Sequence, residues 1–331
     1  MGELDYRKEI EALKKKLNVV IVAHFYQRDD VFECADITGD SLELARKCKE
    51  LNEKWIVFCG VGFMGQSVKI IAPQKRVLMP RAADCSMARM IDSSYFDDAI
   101  SLMGDMGVKR EDILPITYIN SDADIKAKVG KMGGMVCTSS NASKIIEKGL
   151  ASGKKIFFVP DRCLGQNIAS QMGVKSCVLG DGASVLQSDI VCFDGFCSVH
   201  QLFSVDDIEF YRKKYPGIVI AVHPECDPKV VSAADFSGST SQLIKFVDAL
   251  DENQKVAVGT EYNLVNRMRT KNTFILSSTK PECPTMNETT IESLYECLKS
   301  IETQKPLNEI EVDSETAHFA RLALERMLEI K

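Results

Sequence analysis

The chain has 331 residues, of which 45% are hydrophobic and 27% are charged, so it is long enough to bury more than one core. Its net charge is -6, and lysines and arginines are interspersed with acids, which disfavours a nucleic-acid surface and favours small-molecule partners. No apolar run reaches the roughly 18 residues of a membrane-spanning helix, and the start of the chain predicts a charged amphipathic helix rather than a signal peptide. We therefore expect no membrane segment and a cytoplasmic location.

Twelve cysteines are many for the reducing cytoplasm, where structural disulfides are rare. None of them forms a CxxC pair, which excludes a zinc ribbon and a ferredoxin-type run. Any metal site must therefore be assembled from distant segments.

The first third of the chain predicts buried parallel strands that alternate with helices. Strands are expected at 18–23, 55–59 and 77–79, and helices at 42–51 and 64–72. Polar residues follow the first strand as His24-Phe25-Tyr26, and Gly39-Asp40-Ser41 precedes the first helix. The last strand leads to a loop that holds Cys85.

The other two thirds repeat this order. Strands are expected at 113–117, 156–159 and 190–193 in the second third, and at 218–222, 256–258 and 274–276 in the final third. The first strands end in Tyr118-Ile119-Asn120 and His223-Pro224-Glu225, and the last ones lead to Cys197 and Cys283. A closing amphipathic helix is expected from Glu315 to Ile330, packed against the first unit.

Strands and helices in this alternation predict right-handed parallel βαβ units, whose ligands bind beyond the carboxyl ends of the strands. We therefore predict an α/β fold of three similar units, with the active site where their strand ends converge. The predicted units are 1–95 together with the C-terminal helix region 306–331, then 96–205, and then 206–305.

Three predicted helix openings carry hydroxyl groups at equivalent positions, namely Asp40-Ser41, Ser139-Ser140 and Ser239-Thr240. Such helix starts can bind phosphates and carboxylates, although serine and threonine also serve as ordinary N-caps.

Three of the four histidines, His24, His200 and His223, lie at strand ends or just beyond a cysteine loop. His223 and Glu225 fall on one face of an extended segment, which would make an acid-base pair. His318 lies in the closing helix, where a structural role is the simpler interpretation.

Cys85, Cys197 and Cys283 each follow the last strand of a repeat, so approximate threefold symmetry would bring three thiols together. Three thiolates suit a cubane iron-sulfur cluster with one open iron, while buried small hydrophobic residues are the alternative. The core interpretation fits the cysteines within apolar patterns, which are Cys48, Cys59, Cys137, Cys177 and Cys192. The sequence leaves Cys163 and Cys226 open.

The segment from Gly60 through Gly62 to Gly65 follows a strand and matches the GxGxxG pattern of dinucleotide-binding proteins. The next strand ends in Pro80-Arg81 rather than in an acid, which leaves an NADP-dependent oxidoreductase that uses Arg81 as the alternative function.

Taken together, the motifs resemble those of the quinolinate synthase family. The resemblance runs in order from residue 23 to about 286, through Ala23-His24-Phe25-Tyr26, Gly39-Asp40-Ser41, Thr117-Tyr118-Ile119-Asn120, Cys137 to Asn141, Gly195 to His200, His223-Pro224-Glu225-Cys226, Gly238-Ser239-Thr240, Gly259-Thr260-Glu261 and Glu282-Cys283-Pro284. The family usually has Glu-Thr where this chain has Gln66-Ser67, and the stretch 174–189 looks longer than usual, so neither is assigned a role.

The resemblance implies three pseudo-threefold-related three-layer α/β/α domains and a [4Fe-4S] cluster held by Cys85, Cys197 and Cys283. It implies condensation of iminoaspartate with dihydroxyacetone phosphate in NAD biosynthesis, with an aspartate-oxidising enzyme as the source of iminoaspartate. A noncatalytic iron-sulfur sensor is a third hypothesis.

The resemblance also implies roles for individual residues. Glu225, His223 and Tyr26 would move protons. The substrate-binding residues would be His24, Ser41, Ser239 and Thr240 for anionic groups, Tyr118 and Asn120 with Ser139 or Ser140 for carboxylates, and His200 near the cluster.

Overall fold

The computed structural model describes residues 3–180, 184–268 and 272–330, so residues 181–183 of the 174–189 stretch lie outside the described residues. The described chain forms three parallel sheets flanked by helices, which confirms the predicted fold class. The first sheet has the order β2-β1-β3-β4, with β1 at Val19–His24, β2 at Ile37–Gly39, β3 at Trp55–Cys59 and β4 at Arg76–Leu78.

The other two sheets repeat this order. The second is β6-β5-β7-β9-β8, with β5 at Ile113–Tyr118, β6 at Met135–Cys137, β7 at Lys155–Val159, β8 at Ser176–Val178 and β9 at Ile190–Cys192. The third is β11-β10-β12-β13, with β10 at Val219–Val222, β11 at Phe236–Ser237, β12 at Val256–Gly259 and β13 at Thr273–Ile275.

Helices connect and cover the strands. They are α1 Glu3–Leu17, α2 Asp29–Phe32, α3 Ser41–Glu50, α4 Gly62–Ile71, α5 Ser93–Asp105, α6 Ala123–Lys131, α7 Ala142–Leu150, α8 Arg162–Met172, α9 Val205–Lys214, α10 Pro228–Ala233, α11 Thr240–Asp248, α12 Tyr262–Met268, α13 Ile291–Glu302 and α14 Ser314–Leu328. Within the described ranges, no helix combines the length and the apolar composition that crossing a bilayer requires.

The nine predicted strands are present, within about a residue of their predicted ends. The sequence did not predict the short strands β2, β6 and β11 at the edge of each sheet, or β8 within the 174–189 stretch. Each of β2, β6 and β11 ends beside one of the hydroxyl-bearing helix openings, so these strands fix where the openings lie.

One hydrogen bond shows how closely the first and third sheets correspond. Asp36, just before β2, accepts a hydrogen bond from the Ile21 N–H at 2.9 Å, and Asp235, just before β11, accepts one from Ile220 at 2.8 Å. At the equivalent pair in the second sheet, Pro115 has no N–H to donate and Gly134 stands in place of the aspartate. A Cβ at Gly134 would lie 2.0 Å from the Pro115 carbonyl oxygen. The chain just before β6 can therefore lie this close to β5 only because residue 134 has no side chain.

The packing of the closing helix corrects one prediction. The sequence places it against the first unit, but α14 packs mainly on α6 and β6 of the second sheet, and it touches the first through α4. Arg326 donates hydrogen bonds to the carbonyls of Gly130 and Gly134, while Arg321 donates one to Ile70. Helix α14 packs on α6 because Gly130 has no side chain, which lets the Phe319 carbonyl of α14 lie against the α6 backbone. The boundaries of the three units stay a prediction.

Candidate metal centre and active site

A cavity lies at the carboxyl ends of the strands of all three sheets. It is lined by every residue that the sequence singled out for the site except Ser239. His318, on α14, does not line it.

The central strands of the sheets, β1, β5 and β10, supply paired polar side chains. The pairs are His24 with Tyr26, Tyr118 with Asn120, and His223 with Glu225, and all six line the cavity. The members of each pair are separated by one residue, and the second member lies in a turn or bend just beyond the end of the strand rather than in the extended segment that the sequence predicted for His223 and Glu225. Thus each sheet contributes one pair to the cavity from an equivalent position.

The segments that follow the edge strands β2, β6 and β11 supply the hydroxyl groups of Ser41, Ser139, Ser140 and Thr240. Ser239 differs because its hydroxyl accepts the N–H of Gln242 as the N-cap of α11, within a capping box. The Ser239 side chain is buried and lies outside the cavity lining. The capping interpretation therefore describes Ser239 better than substrate binding does.

The three cysteine loops have the same local structure. The carbonyl oxygen of each cysteine accepts a hydrogen bond from the N–H four residues later, at 3.2 Å for Cys85, 3.2 Å for Cys197 and 3.1 Å for Cys283. A 3-10 turn begins three residues after each cysteine, at Ala88–Met90, His200–Leu202 and Met286–Glu288. Backbone N–H groups from these turns donate hydrogen bonds to the sulfur atoms.

These three sulfurs fit a metal-thiolate centre. All three line one cavity, and N–H groups directed at sulfur are a feature that tunes iron-sulfur clusters. Burial raises the pKa of Cys85 to about 12 and also raises the pKa values of Cys197 and Cys283, so the metal-free chain holds neutral thiols at neutral pH. Metal binding there must therefore release protons.

The remaining cysteines that the sequence placed in cores are buried, which confirms that interpretation for Cys48, Cys59, Cys137, Cys177 and Cys192. Cys163 and Cys226, which the sequence left open, are also buried and do not line the cavity.

His200 connects the cysteine loop of the second sheet to Glu225. Its Nδ1 lies 3.2 Å from the Cys197 sulfur and 2.8 Å from a Glu225 oxygen, while its ring stacks on His223 at 4.6 Å. The ligand atoms of Cys197, His200 and Glu225 lie within 4.8 Å of one another, so a metal at Cys197 would have an imidazole and a carboxylate close by.

Burial sets the charge of the histidines that face the cavity. It lowers the pKa of His24 to about 4 and that of His223 to about 3, so both imidazoles are neutral at pH 7. His24 Nδ1 accepts the Tyr26 N–H at 3.1 Å, and His223 Nδ1 accepts the Glu225 N–H at 3.4 Å. Each ring therefore carries its proton on Nε2, where it can donate a hydrogen bond.

Glu225 is ionised although it is buried. Burial acts to raise the pKa of Glu225, but attraction to His223 and His200 and hydrogen bonds from His200 and Tyr118 outweigh it and lower the pKa to about 2. Burial raises the pKa values of Tyr26 and Tyr118, so both phenols keep their protons.

Three polar residues of this region were not assigned roles from the sequence. Asp40 and Glu261 line the cavity, and Thr260 lies behind Tyr26. Glu261 accepts N–H bonds from Asn263 and Leu264 at the start of α12 and from Cys283, and burial raises its pKa to about 8. The sequence did offer a signal for Glu261, because this residue follows the end of β12 as the other candidate residues follow the ends of their strands.

The glycine segment at 60–65 packs rather than cradles a phosphate. A Cβ at Gly60 would lie 2.6 Å from Phe58, and one at Gly65 would lie 2.9 Å from Met79. The Gly62 N–H at the start of α4 donates to the Ala83 carbonyl at 2.8 Å, so it is already occupied. The contacts therefore give the dinucleotide alternative no support.

Comparisons with known proteins agree with this geometry. A family model described as Quinolinate synthetase A protein matches residues 8–329. The chain is 56% identical to the quinolinate synthase of Helicobacter pylori (strain HPAG1), over 98% of each chain. It is 41% identical to that of Streptomyces coelicolor, over 96% of this chain and 86% of the relative, and 38% identical to that of Listeria monocytogenes, over 100% and 95%. The chain belongs to the quinolinate synthase family.

Proposed function

We propose that the chain condenses iminoaspartate with dihydroxyacetone phosphate to give quinolinate, phosphate and two waters in NAD biosynthesis. One observation carries the proposal, namely that cysteines from three separate sheets line one cavity together with the acid-base and hydroxyl groups of the strand ends. The family relationship supports the same activity.

In this proposal Cys85, Cys197 and Cys283 hold a [4Fe-4S] cluster, which their common cavity and their repeated N–H···S bonds support. When bound, the cluster would supply an open iron as a Lewis acid for a substrate oxygen.

The substrate anions would be held by neutral donors. Tyr118, Asn120 and the serines at 139 and 140 come from the second sheet and would bind carboxylates. His24, Ser41 and Thr240 come from the first and third sheets and would bind the remaining anionic groups, including phosphate. Neutral donors pay less to desolvate than a wall of arginines would, and the neutral His24 ring fits this scheme.

Proton transfers fall to Glu225, His223 and Tyr26. The ionised Glu225 is the available base, and Tyr26 is the available acid because its phenol is protonated. The neutral His223 can donate from Nε2, and its ring lies beside the Glu225 carboxylate. Each loss of water needs a proton delivered to the departing hydroxide, which this trio can provide.

The proposed location is the reducing cytoplasm, which the twelve unpaired cysteines support. The proposed partners are small molecules, with iminoaspartate handed over by an aspartate-oxidising enzyme.

The test is anaerobic purification followed by iron, sulfide and quinolinate assays. We expect a brown protein with about four irons and four sulfides per chain, which forms quinolinate from the two substrates. Loss of any one ligand in C85A, C197A or C283A should abolish both the cluster and activity, whereas the buried core cysteine in C48A should not be needed for either.

The alternatives give different results in the same assays. A cluster without quinolinate formation would identify a sensor instead. A colourless, iron-free chain, or a full cluster in one of the three ligand variants, would overturn the assignment of the ligands.

A further inference from the structure

The Thr260 side chain bridges two residues of the proposed site from behind. It is fully buried just after β12, and its hydroxyl lies 2.9 Å from the Tyr26 hydroxyl and 3.1 Å from His200 Nε2. Thr260 does not line the cavity, so substrate contact does not explain its position.

These contacts are the middle of a longer hydrogen-bond chain. The Thr240 hydroxyl lies 3.2 Å from the Tyr26 hydroxyl, and His200 Nδ1 lies 2.8 Å from Glu225. The chain therefore runs from Thr240 through Tyr26, Thr260 and His200 to the Glu225 carboxylate, and it uses residues from all three sheets.

The Thr260 hydroxyl can serve both of its partners at once. It has one proton to donate and two acceptor sites, so it can donate to one of Tyr26 and His200 and accept from the other. At the far end of the chain, the Glu225 carboxylate can only accept hydrogen bonds.

We propose that Thr260 is a positioning residue that fixes the orientations of the Tyr26 phenol and the His200 imidazole. The inference rests on the proposed function, because both groups belong to the proposed site. Without the Thr260 hydroxyl, the Tyr26 hydroxyl and His200 Nε2 each lose a hydrogen-bond partner. Both groups can then take other orientations in the cavity wall.

The kinetic test compares T260V with T260S in the cluster-loaded enzyme. Valine removes the hydroxyl and keeps the branched shape, whereas serine keeps the hydroxyl. Loss of a hydrogen-bond partner that orients a group at a metal site typically costs about 10–100-fold in activity. We expect T260V to lower kcat by about that factor with little change in KM and in iron content, and T260S to restore most of the loss.

Thr289 provides a matched control because it is also fully buried, and its hydroxyl has no hydrogen-bond partner among the described residues. T289V should keep the wild-type kcat. Equal activity of T260V and wild type would overturn the proposal while leaving the proposed function intact, and an inactive wild type would refute the function instead.

A second measurement does not depend on activity. Nitrogen-15 NMR of histidine-labelled, metal-free full chain reports which ring nitrogen of His200 carries the proton. We expect the His200 ring-nitrogen signals of T260S to match those of wild type and the signals of T260V to shift. Identical His200 signals in T260V and wild type would contradict the proposed positioning role.

Discussion

The Lys126 ammonium is bonded to the backbone of the segment that carries Tyr118 and Asn120. It donates hydrogen bonds to the carbonyl oxygens of Ile119, at 2.8 Å, and Ser121, and it lies 5.4 Å from the centre of the Phe63 ring. The side chain is fully buried, and burial lowers the pKa of Lys126 to about 7, against the pull of Asp122 and Asp124. Lys126 therefore holds the segment in place while losing its own charge near neutral pH.

This shift predicts a pH-dependent stability. Between about pH 7 and pH 10 the unfolded chain binds a proton at Lys126 that the folded chain has released, so the stability of wild type should rise with pH relative to K126M. The difference in the free energy of unfolding should grow by at most about 1.4 kcal/mol per pH unit in that range.

The measurement is denaturant unfolding of both chains at several pH values. K128M serves as the control for losing a lysine from the same helix, since the Lys128 ammonium pairs with Asp97 at the protein surface. A difference between wild type and K126M that does not vary with pH would contradict the prediction.

At the residue scale, the candidates that share a position in the repeat lie together around one cavity. The paired residues at the strand ends and the three cysteines could be singled out because their type is unusual for the end of a buried strand. The role of Ser239 stays a prediction, because an N-cap and an anion site use the same residue type and its hydroxyl accepts the Gln242 N–H. Thr260 was missed since a buried threonine gives no signal until its two partners from other sheets are known.

Among the elements, length was one reason that strands were missed, although the three-residue strands β4, β9 and β13 were predicted. Strands such as β1 and β5 have six residues of apolar pattern, but β2, β6 and β11 have only two or three. So short a segment has no periodicity, and it becomes a strand because its longer neighbour offers backbone groups to pair with. The packing partner of α14 was likewise hidden, because a glycine on the surface of α6 looks like any other helical glycine.

The contact between α6 and α14 makes a prediction about Gly130. A Cβ at this position would lie 1.9 Å from the Phe319 carbonyl oxygen, which is backbone and cannot swing away. G130A must therefore push α14 off α6, and overpacking of this kind typically costs about 1–3 kcal/mol. We expect the free energy of unfolding to fall by at least that amount.

Gly104 in α5 provides the opposite case in the same kind of element. A Cβ there would meet nothing within 4 Å, so G104A should gain about 0.4–1 kcal/mol from the reduced freedom of the unfolded chain. Denaturant unfolding of G130A and G104A should therefore show a lower free energy of unfolding for the first and a higher one for the second. A stabilised G130A would show that the helices are not in close backbone contact.

At the scale of the whole molecule, the first two sheets share one continuous hydrophobic core, to which α14 also belongs. The third sheet has separate clusters on its two faces. Polar contacts, such as those of Thr260 with Tyr26 and His200, therefore help to join the third sheet to the others. The sequence indicated three similar units. It could not show that two of them share a core while the third has its own, because this difference depends on which helices cover which sheet.

Asp40 makes the clearest set of polar contacts between the sheets. One oxygen of its carboxylate caps α3 by accepting the N–H groups of Leu42 and Glu43. The other accepts the hydroxyl of Ser140, at 3.0 Å, and the hydroxyl of Ser241, at 2.6 Å. A single buried carboxylate thus joins helix openings that belong to all three sheets.

This arrangement predicts that D40N destabilises the chain although asparagine is an equally good N-cap. The amide would replace the carboxylate oxygen that accepts two hydroxyls, and hydrogen bonds to a charged group are worth about 1.5–3 kcal/mol. D92N is the matched control, because Asp92 caps α5 and, within the described part of the chain, its carboxylate accepts hydrogen bonds only from Ser94 and Tyr95 of that helix. A double-mutant cycle of D40N with S241A, measured by denaturant unfolding, should give a coupling of about 0.5–3 kcal/mol. If D40N unfolds like D92N, or if the cycle shows no coupling, the third sheet must be held by other contacts.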